Sequence, residues 1–340
     1  MKKIINTFIC LSCMFSSILF SQGKGVGEGA APFLAVPVGA RAAAMGSAYS
    51  ALASDVIAAY WNPAGLGRLQ GLQLATTISS LGGELGQEIG AHRFFGLGYA
   101  SNIGTFALSI ISQGINDIEI WPDDEQNFEP SGTIQFSQNA FIISYGKAIF
   151  PNVFYIGINW KIIHLSLWDQ SATGFDGIDI GLLYRPFERL FLSAVVKKQV
   201  SLRWQIGADG HTDYVPKMGT MGVAYQFIKN DATLSVDMHQ EEDFPLNMRM
   251  GVEYVLHSGF GENGSIAMQG LSFRGGFQHI YFGQASGENG NSFKVNQKGL
   301  GFNFGLGIEA KVANINLNLD WSYGSQYLMS VNRLSVSCQF

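Results

Sequence analysis

Along most of this chain apolar and polar residues alternate with a period of two. Ile315, Leu317, Leu319, Trp321 and Tyr323 fall on one side of a stretch whose other side is Asn316, Asn318, Asp320 and Ser322. Its neighbour sets Leu300, Phe302, Phe304, Leu306 and Ile308 against Gly301, Asn303, Gly305, Gly307 and Glu309. The final segment sets Leu334, Val336, Cys338 and Phe340 against Arg333, Ser335, Ser337 and Gln339, and Leu234, Val236 and Met238 oppose Thr233, Ser235, Asp237 and His239. A pleated strand sends successive side chains to opposite faces, so each segment has one oily and one wet side. The pattern predicts strands near 69–80, 90–100, 104–120, 136–149, 152–168, 175–185, 190–206, 216–227, 231–240, 246–256, 267–282, 298–310, 312–323 and 329–340. That makes about fourteen, an even number as closed membrane barrels require.

The exception is Val38 to Leu66, VGARAAAMGSAYSALASDVIAAYWNPAGL, which is rich in Ala and Gly and has no alternation. Small side chains let backbones approach closely, which suits a compact helix-and-turn piece packed inside something larger. Ser54 or Asp55 is placed to cap a short helix from Val56 to Trp61, and Asn62-Pro63 is placed to end it. We therefore expect a plug of short helices that precedes a transmembrane antiparallel β-barrel and sits in its lumen.

Alternation also occurs in soluble sandwiches, so other features must decide. Charged residues are 14% of the chain, against about 25% in ordinary globular proteins. There are 42 Gly and 25 Phe, and past the N-terminus there is no apolar run of the roughly 20 residues that a spanning helix needs. Trp121, Trp168, Trp321 and Tyr323 lie near predicted strand ends, as interfacial girdles do. Connections alternate: short turns at 101–103, 150–151, 186–189, 228–230 and 311, longer loops at 81–89, 121–135, 207–215 and 283–297. That alternation is what two different rims produce, although the connection at 257–265 is long where a turn is due.

Residues 1–21 read as a secretory leader, with Lys2 and Lys3 before the apolar run Ile4 to Phe20. Its removal would take the formal charge from −5 to −7, which argues against a nucleic-acid partner. Cys10 and Cys13 would leave with it, so only Cys338 remains and no disulfide forms. The expected organisation is leader 1–21, lead-in and plug 22–68, and barrel 69–340.

Candidate chemistry is sparse. Asp123, Asp124, Glu125 and Glu129, then Asp209 with Asp213, then Glu241, Glu242 and Asp243 are acidic loop clusters without calcium-ligand spacing. The six His show no metal spacing, and Asp237 and His239 could face the lumen side by side along one strand, as residues of any lumen do; neither a metal, a cofactor nor an enzyme activity is expected. In the plug, Arg41 either pairs with a lumen acid or with Asp55, fixing the plug, or touches a transported ligand. Asn62 is expected to satisfy backbone groups freed at Pro63. Gly275-Gly276 and Gly96-Leu97-Gly98 are candidate kinks in the wall.

Gly39-Ala40-Arg41-Ala42-Ala43-Ala44-Met45-Gly46, with Ala53-Ser54-Asp55 and Tyr60-Trp61-Asn62-Pro63-Ala64-Gly65-Leu66, resembles the N-terminal signature of the PorV/PorQ outer-membrane proteins. These belong to a wider group of barrels similar to the fatty-acid transporter FadL. The resemblance implies a fourteen-stranded barrel in the outer membrane, with Asn62-Pro63-Ala64 in the plug and lipid around the wall. For the PorV type it implies a role in type IX secretion, with secretion-system proteins or secreted cargo as partners. Other members of the wider group pass long-chain fatty acids or other hydrophobic small molecules, and that is the alternative reading. Terminal Phe340 also looks like the signal read by barrel-assembly machinery.

Overall fold

The computed structural model describes residues 30–340 except 84–87, 121–129, 205–209, 229–230, 243, 261–265, 283–284, 287–291, 294–299 and 327–328. The leader, Trp121, the first acidic cluster, Asp209 and Asp243 lie outside the described residues.

The alternating segments form long strands: β1 (Leu72–Gly83), β2 (Glu88–Ser101), β3 (Gly104–Ile120), β4 (Gly132–Phe150), β5 (Phe154–Leu167), β6 (Gln170–Phe187) and β7 (Leu190–Lys197). After a short hairpin, β8 (Val200–Trp204) and β9 (His211–Val215), come β10 (Met218–Phe227), β11 (Ala232–Glu241), β12 (Leu246–Phe260) and β13 (Ile266–Phe282). A two-residue pair, β14 (Ala285–Ser286) and β15 (Ser292–Phe293), precedes β16 (Gly301–Val312), β17 (Ile315–Gln326) and β18 (Met329–Gln339). Sixteen strands share one sheet; setting aside β8 and β9 leaves fourteen, each antiparallel to its neighbour. The ring closes where β1 pairs with β18, from Gln73 opposite Gln339 to Gly83 opposite Met329. Closure leaves no unpaired edge, the condition a lipid-spanning sheet must meet.

The alternation sorts cleanly. On β16, Phe302, Phe304, Leu306 and Ile308 face outward and exposed, while residues 301, 303, 305 and 307 face inward. Outside, Phe304 meets both Trp321 and Tyr323, with ring centroids 5.5 and 5.4 Å apart. Chain turns at one rim are short, as between Ser101 and Gly104, and Phe340 lies there, its N–H donating to the Leu72 carbonyl.

Three expectations are corrected. The strand expected over 190–206 stops at Lys197, because the buried positions shift phase: Phe191, Ser193 and Val195 face in on β7, but Val200 and Leu202 are the buried ones on β8. The β8–β9 hairpin instead folds over the inner wall, pairing with β6 at Ala172 and Thr173. Second, β12 runs on to Phe260, so the connection expected at 257–265 is shorter than it looked. Third, pairing continues unbroken through Gly275-Gly276 and Gly96–Gly98, so these glycines are not kinks.

The plug comprises a 3₁₀ turn at Pro32–Ala35, helix α1 (Ala40–Ala44), helix α2 (Ala58–Trp61) and a second 3₁₀ turn at Pro63–Arg68. Its apolar side chains, Phe33, Val38, Met45, Tyr49, Val56 and Trp61 among them, are buried against Phe94, Ile111, Ile142, Ile163 and the hairpin's Val200 and Leu202. The core of this protein is therefore inside the barrel. The lumen is not polar throughout: the wall of β2–β6 carries apolar side chains where plug and hairpin pack on it.

Candidate functional site

Helices of four or five residues leave most of their backbone N–H and C=O groups without partners, and a barrel interior closed to water cannot supply them. Here the wall does. Gln73 on β1 accepts from the N–H of Val56 at 2.7 Å, and Ser335 on β18 from Ala40 at 2.7 Å. Asp237 on β11 accepts from both Tyr49 and Ser50, at 3.1 and 2.9 Å. Asn159 on β5 donates to the Ala59 carbonyl at 2.7 Å. At these positions the polar inner faces are a complementary mould for the plug backbone. Asp237 is committed to this role and His239 binds Thr220 instead at 2.9 Å, so the two have different partners and form no acid–base dyad.

Asn62 holds the plug at the other side. Its Nδ2 donates to the carbonyls of Ser50 at 2.9 Å and Leu182 at 3.1 Å, and its Oδ1 accepts from Ala64 at 3.1 Å. Pro63 and Ala64 lie directly on the wall at Gly146, Gly157 and Gly181, which stand opposite one another on β4, β5 and β6. A Cβ on Gly181 would overlap Asn62 Oδ1, and one on Gly157 would overlap Pro63. A second seat receives Met45 and Gly46 at Gly251 and Gly276, which pair across β12 and β13. Gly46 has φ +62°, and a side chain there would strike the Phe277 and Met250 carbonyls, so this turn requires glycine. Gly39, with φ +87°, opens α1.

Arg41 projects from α1 to Glu253 on β12, with Nε and Nη2 at 2.9 and 2.7 Å from the two carboxylate oxygens. Glu253 also receives Arg274 Nε at 2.6 Å, and Arg274 Nη1 reaches Asp320 at 2.6 Å. Two cations and two anions form a neutral chain from the plug across β12, β13 and β17. Of the partners expected for Arg41, the lumen acid is the one it meets. Asp55 does not cap α2, which starts at Ala58 with no side-chain cap. Its backbone carbonyl instead accepts from Ala58 at 3.0 Å. Burial pushes its carboxyl up, opposed by the charge of Arg41.

Above the plug, toward the rim with the longer loops, lies a cavity of about 550 Å³. One side is the lead-in, Ala30 to Pro37, and another is built from β7 and β10–β13 with β18. Phe33, Tyr60, Trp61, Phe244 and Tyr281 supply rings, while Lys197, Arg249 and Arg333 bring positive charge. Sequence reasoning overlooked these cations. The signal was present, since Asn247, Arg249, Gly251 and Glu253 share the inward phase of β12.

The sequence matches no family model and no curated protein. Solved structures do match. The Pseudomonas putida toluene transporter TodX is 12% identical with a TM-score of 0.56, covering 93% of this chain and 98% of its own. A Pseudomonas aeruginosa FadL homologue is 11% identical with a TM-score of 0.54, covering 86% and 95%. The Ralstonia pickettii toluene transporter TbuX is 13% identical with a TM-score of 0.51, covering 89% and 98%. At this identity the likeness establishes a shared barrel fold and nothing finer.

Proposed function

We propose that this chain is an outer-membrane channel admitting small molecules of apolar character through its plugged lumen. The observation that carries the reading is the ring-lined cavity between the plug and the loop rim, since a mostly apolar concave site with a few polar groups is what small-ligand recognition requires. The outward band of Phe, Leu and Ile gives the wall its lipid contact. The fold neighbours transport toluene in two of the three cases above, which supports the same class of cargo. Phe340, exposed at the short-turn rim beside the start of β1, fits the role of an assembly signal.

Delivery of secreted cargo, the role implied by the PorV/PorQ resemblance, has no counterpart among those neighbours. A deletion strain separates the two. Loss of uptake of radiolabelled toluene, restored by the intact gene, supports the channel. Unchanged uptake together with lost surface display of type IX cargo overturns it in favour of secretion.

A further inference from the structure

The cavity is not electrically balanced. Lys197, Arg249 and Arg333 all line it, and among the described lining residues Glu241 is the one carboxylate. Lys197 Nζ donates to the Tyr60 carbonyl at 2.9 Å and Arg333 Nε to the Pro37 carbonyl at 3.2 Å. Both are neutral acceptors. Among the described residues none of the three cations meets a carboxylate at salt-bridge distance, in contrast to Arg41 and Arg274 a little deeper in the lumen. Arg249 is the extreme case: its Nε is buried and has no hydrogen-bond partner, and the carboxylate opposite it on β11, Asp237, accepts from the backbone of Tyr49 and Ser50 instead. A guanidinium presents planar, paired donors matched to a carboxylate, and a buried one left without an acceptor is costly.

We propose that Arg249 is the centre of an anion subsite, with Lys197 and Arg333 adding charge, and that the ligand is an aromatic carboxylate. The rings of Phe33, Tyr60, Trp61 and Tyr281 around the cavity suit a flat, compact body. A long alkyl chain would need an apolar track leading onward. The apolar wall of β2–β6, the place for one, is already covered by Val200 and Leu202 of the hairpin and by the plug. The inference deepens the channel reading by naming the cargo as charged, where toluene is neutral.

The test is isothermal titration of the full barrel in nonionic detergent with 2-naphthoate, its neutral counterpart 2-naphthylmethanol, and decanoate. Wild type is expected to bind 2-naphthoate at least tenfold more tightly than either of the others. Arg249→Gln should bring 2-naphthoate and 2-naphthylmethanol to parity, and Arg249→Lys should retain part of the preference. Equal binding of the two naphthyl compounds by wild type overturns the anion subsite and leaves the channel reading standing. An undiminished preference in a heat-modifiable, folded Arg249→Gln barrel overturns the role of Arg249. Tighter binding of decanoate overturns the aromatic assignment, and binding of none of the three overturns the channel reading as well. Should Arg249→Gln fail to fold, the wild-type comparison and Arg249→Lys still decide.

Discussion

Gly157 on β5 lies flat against Pro63 of the plug, with no room between them for even a methyl group. Its cross-strand partners Gly146 and Gly181 take the residues on either side, so three adjacent strands offer bare backbone where the plug's Asn-Pro-Ala turn rests. Backbone-to-backbone seating of this kind fixes position more tightly than side-chain packing, because neither surface can adjust its rotamers.

Gly157→Ala should therefore displace the plug while sparing the wall, whose outward face and ladder are untouched. Overpacking of this sort costs about 1–3 kcal/mol. The expected readouts are a raised single-channel conductance in planar bilayers and a normal heat-induced gel shift for the barrel. Gly275→Ala, at a position with open space around it, should change neither.

The ionic chain predicts an asymmetry between its members. Glu253 serves two arginines, so Glu253→Gln strands the buried Arg274 on one side and leaves the part-exposed Arg41 without its partner. Removing one member of a buried pair costs about 3–5 kcal/mol. Arg41→Met leaves Glu253 with Arg274, and because the Arg41 side chain is one-third exposed the two hydrogen bonds it loses should together cost less, about 1.5–3 kcal/mol. Urea unfolding midpoints of the two variants, measured side by side in the same lipid, check the order. Equal losses would mean that Arg274 does not hold Glu253.

How far these features could be read in the sequence depended on their range. Outward positions such as Phe302 to Ile308 were legible because the two-residue period records facing directly, and the rims were legible from connection length. Helix α2 and its stop at Asn62-Pro63 were visible from local chemistry, although the expected cap was not, since Asp55 is turned to its own local backbone. What the local pattern could not supply was pairing register. Gly146, Gly157 and Gly181 become a seat only once three strands are aligned, and they look like any other glycines among the 42 in the chain. Glu253, Arg274 and Asp320 likewise come together from three strands. The end of β7 was missed because the phase slip at Lys198-Gln199 is a single residue.

The direction in which each strand faces is itself testable. Leu306 is exposed near the middle of β16, on the outward face that the channel reading sets against lipid, and a Lys or Arg at the centre of such a face costs about 2–4 kcal/mol. Leu306→Arg should lower the stability of the refolded barrel by that amount in a thin-lipid urea titration. Ile308→Arg, nearer the short-turn rim, should cost less. A neutral Leu306→Arg would place that residue away from lipid.

The inward hairpin should come loose without taking the barrel with it. β8 and β9 pair with one another from Val200 opposite Val215 to Trp204 opposite His211, but their ladder to the wall is limited to Ala172 and Thr173. Asp176 on β6 adds two hydrogen bonds from Ser201, and the Ala30 N–H one to Tyr214, but most of what holds them down is burial of Val200 and Leu202 against Ile111, Ile163 and the plug. Truncating a buried leucine costs about 2–5 kcal/mol, and at an element with so few tethers the loss falls on local docking before global stability. Leu202→Ala should thus speed hydrogen exchange across 200–215 while leaving exchange in β16–β18 and the gel shift of the barrel unchanged. Because the hairpin covers the apolar wall beside the cavity, the same variant should admit decanoate where wild type favours 2-naphthoate. If exchange instead rose uniformly around the ring, the hairpin would be part of the wall's own cooperative unit.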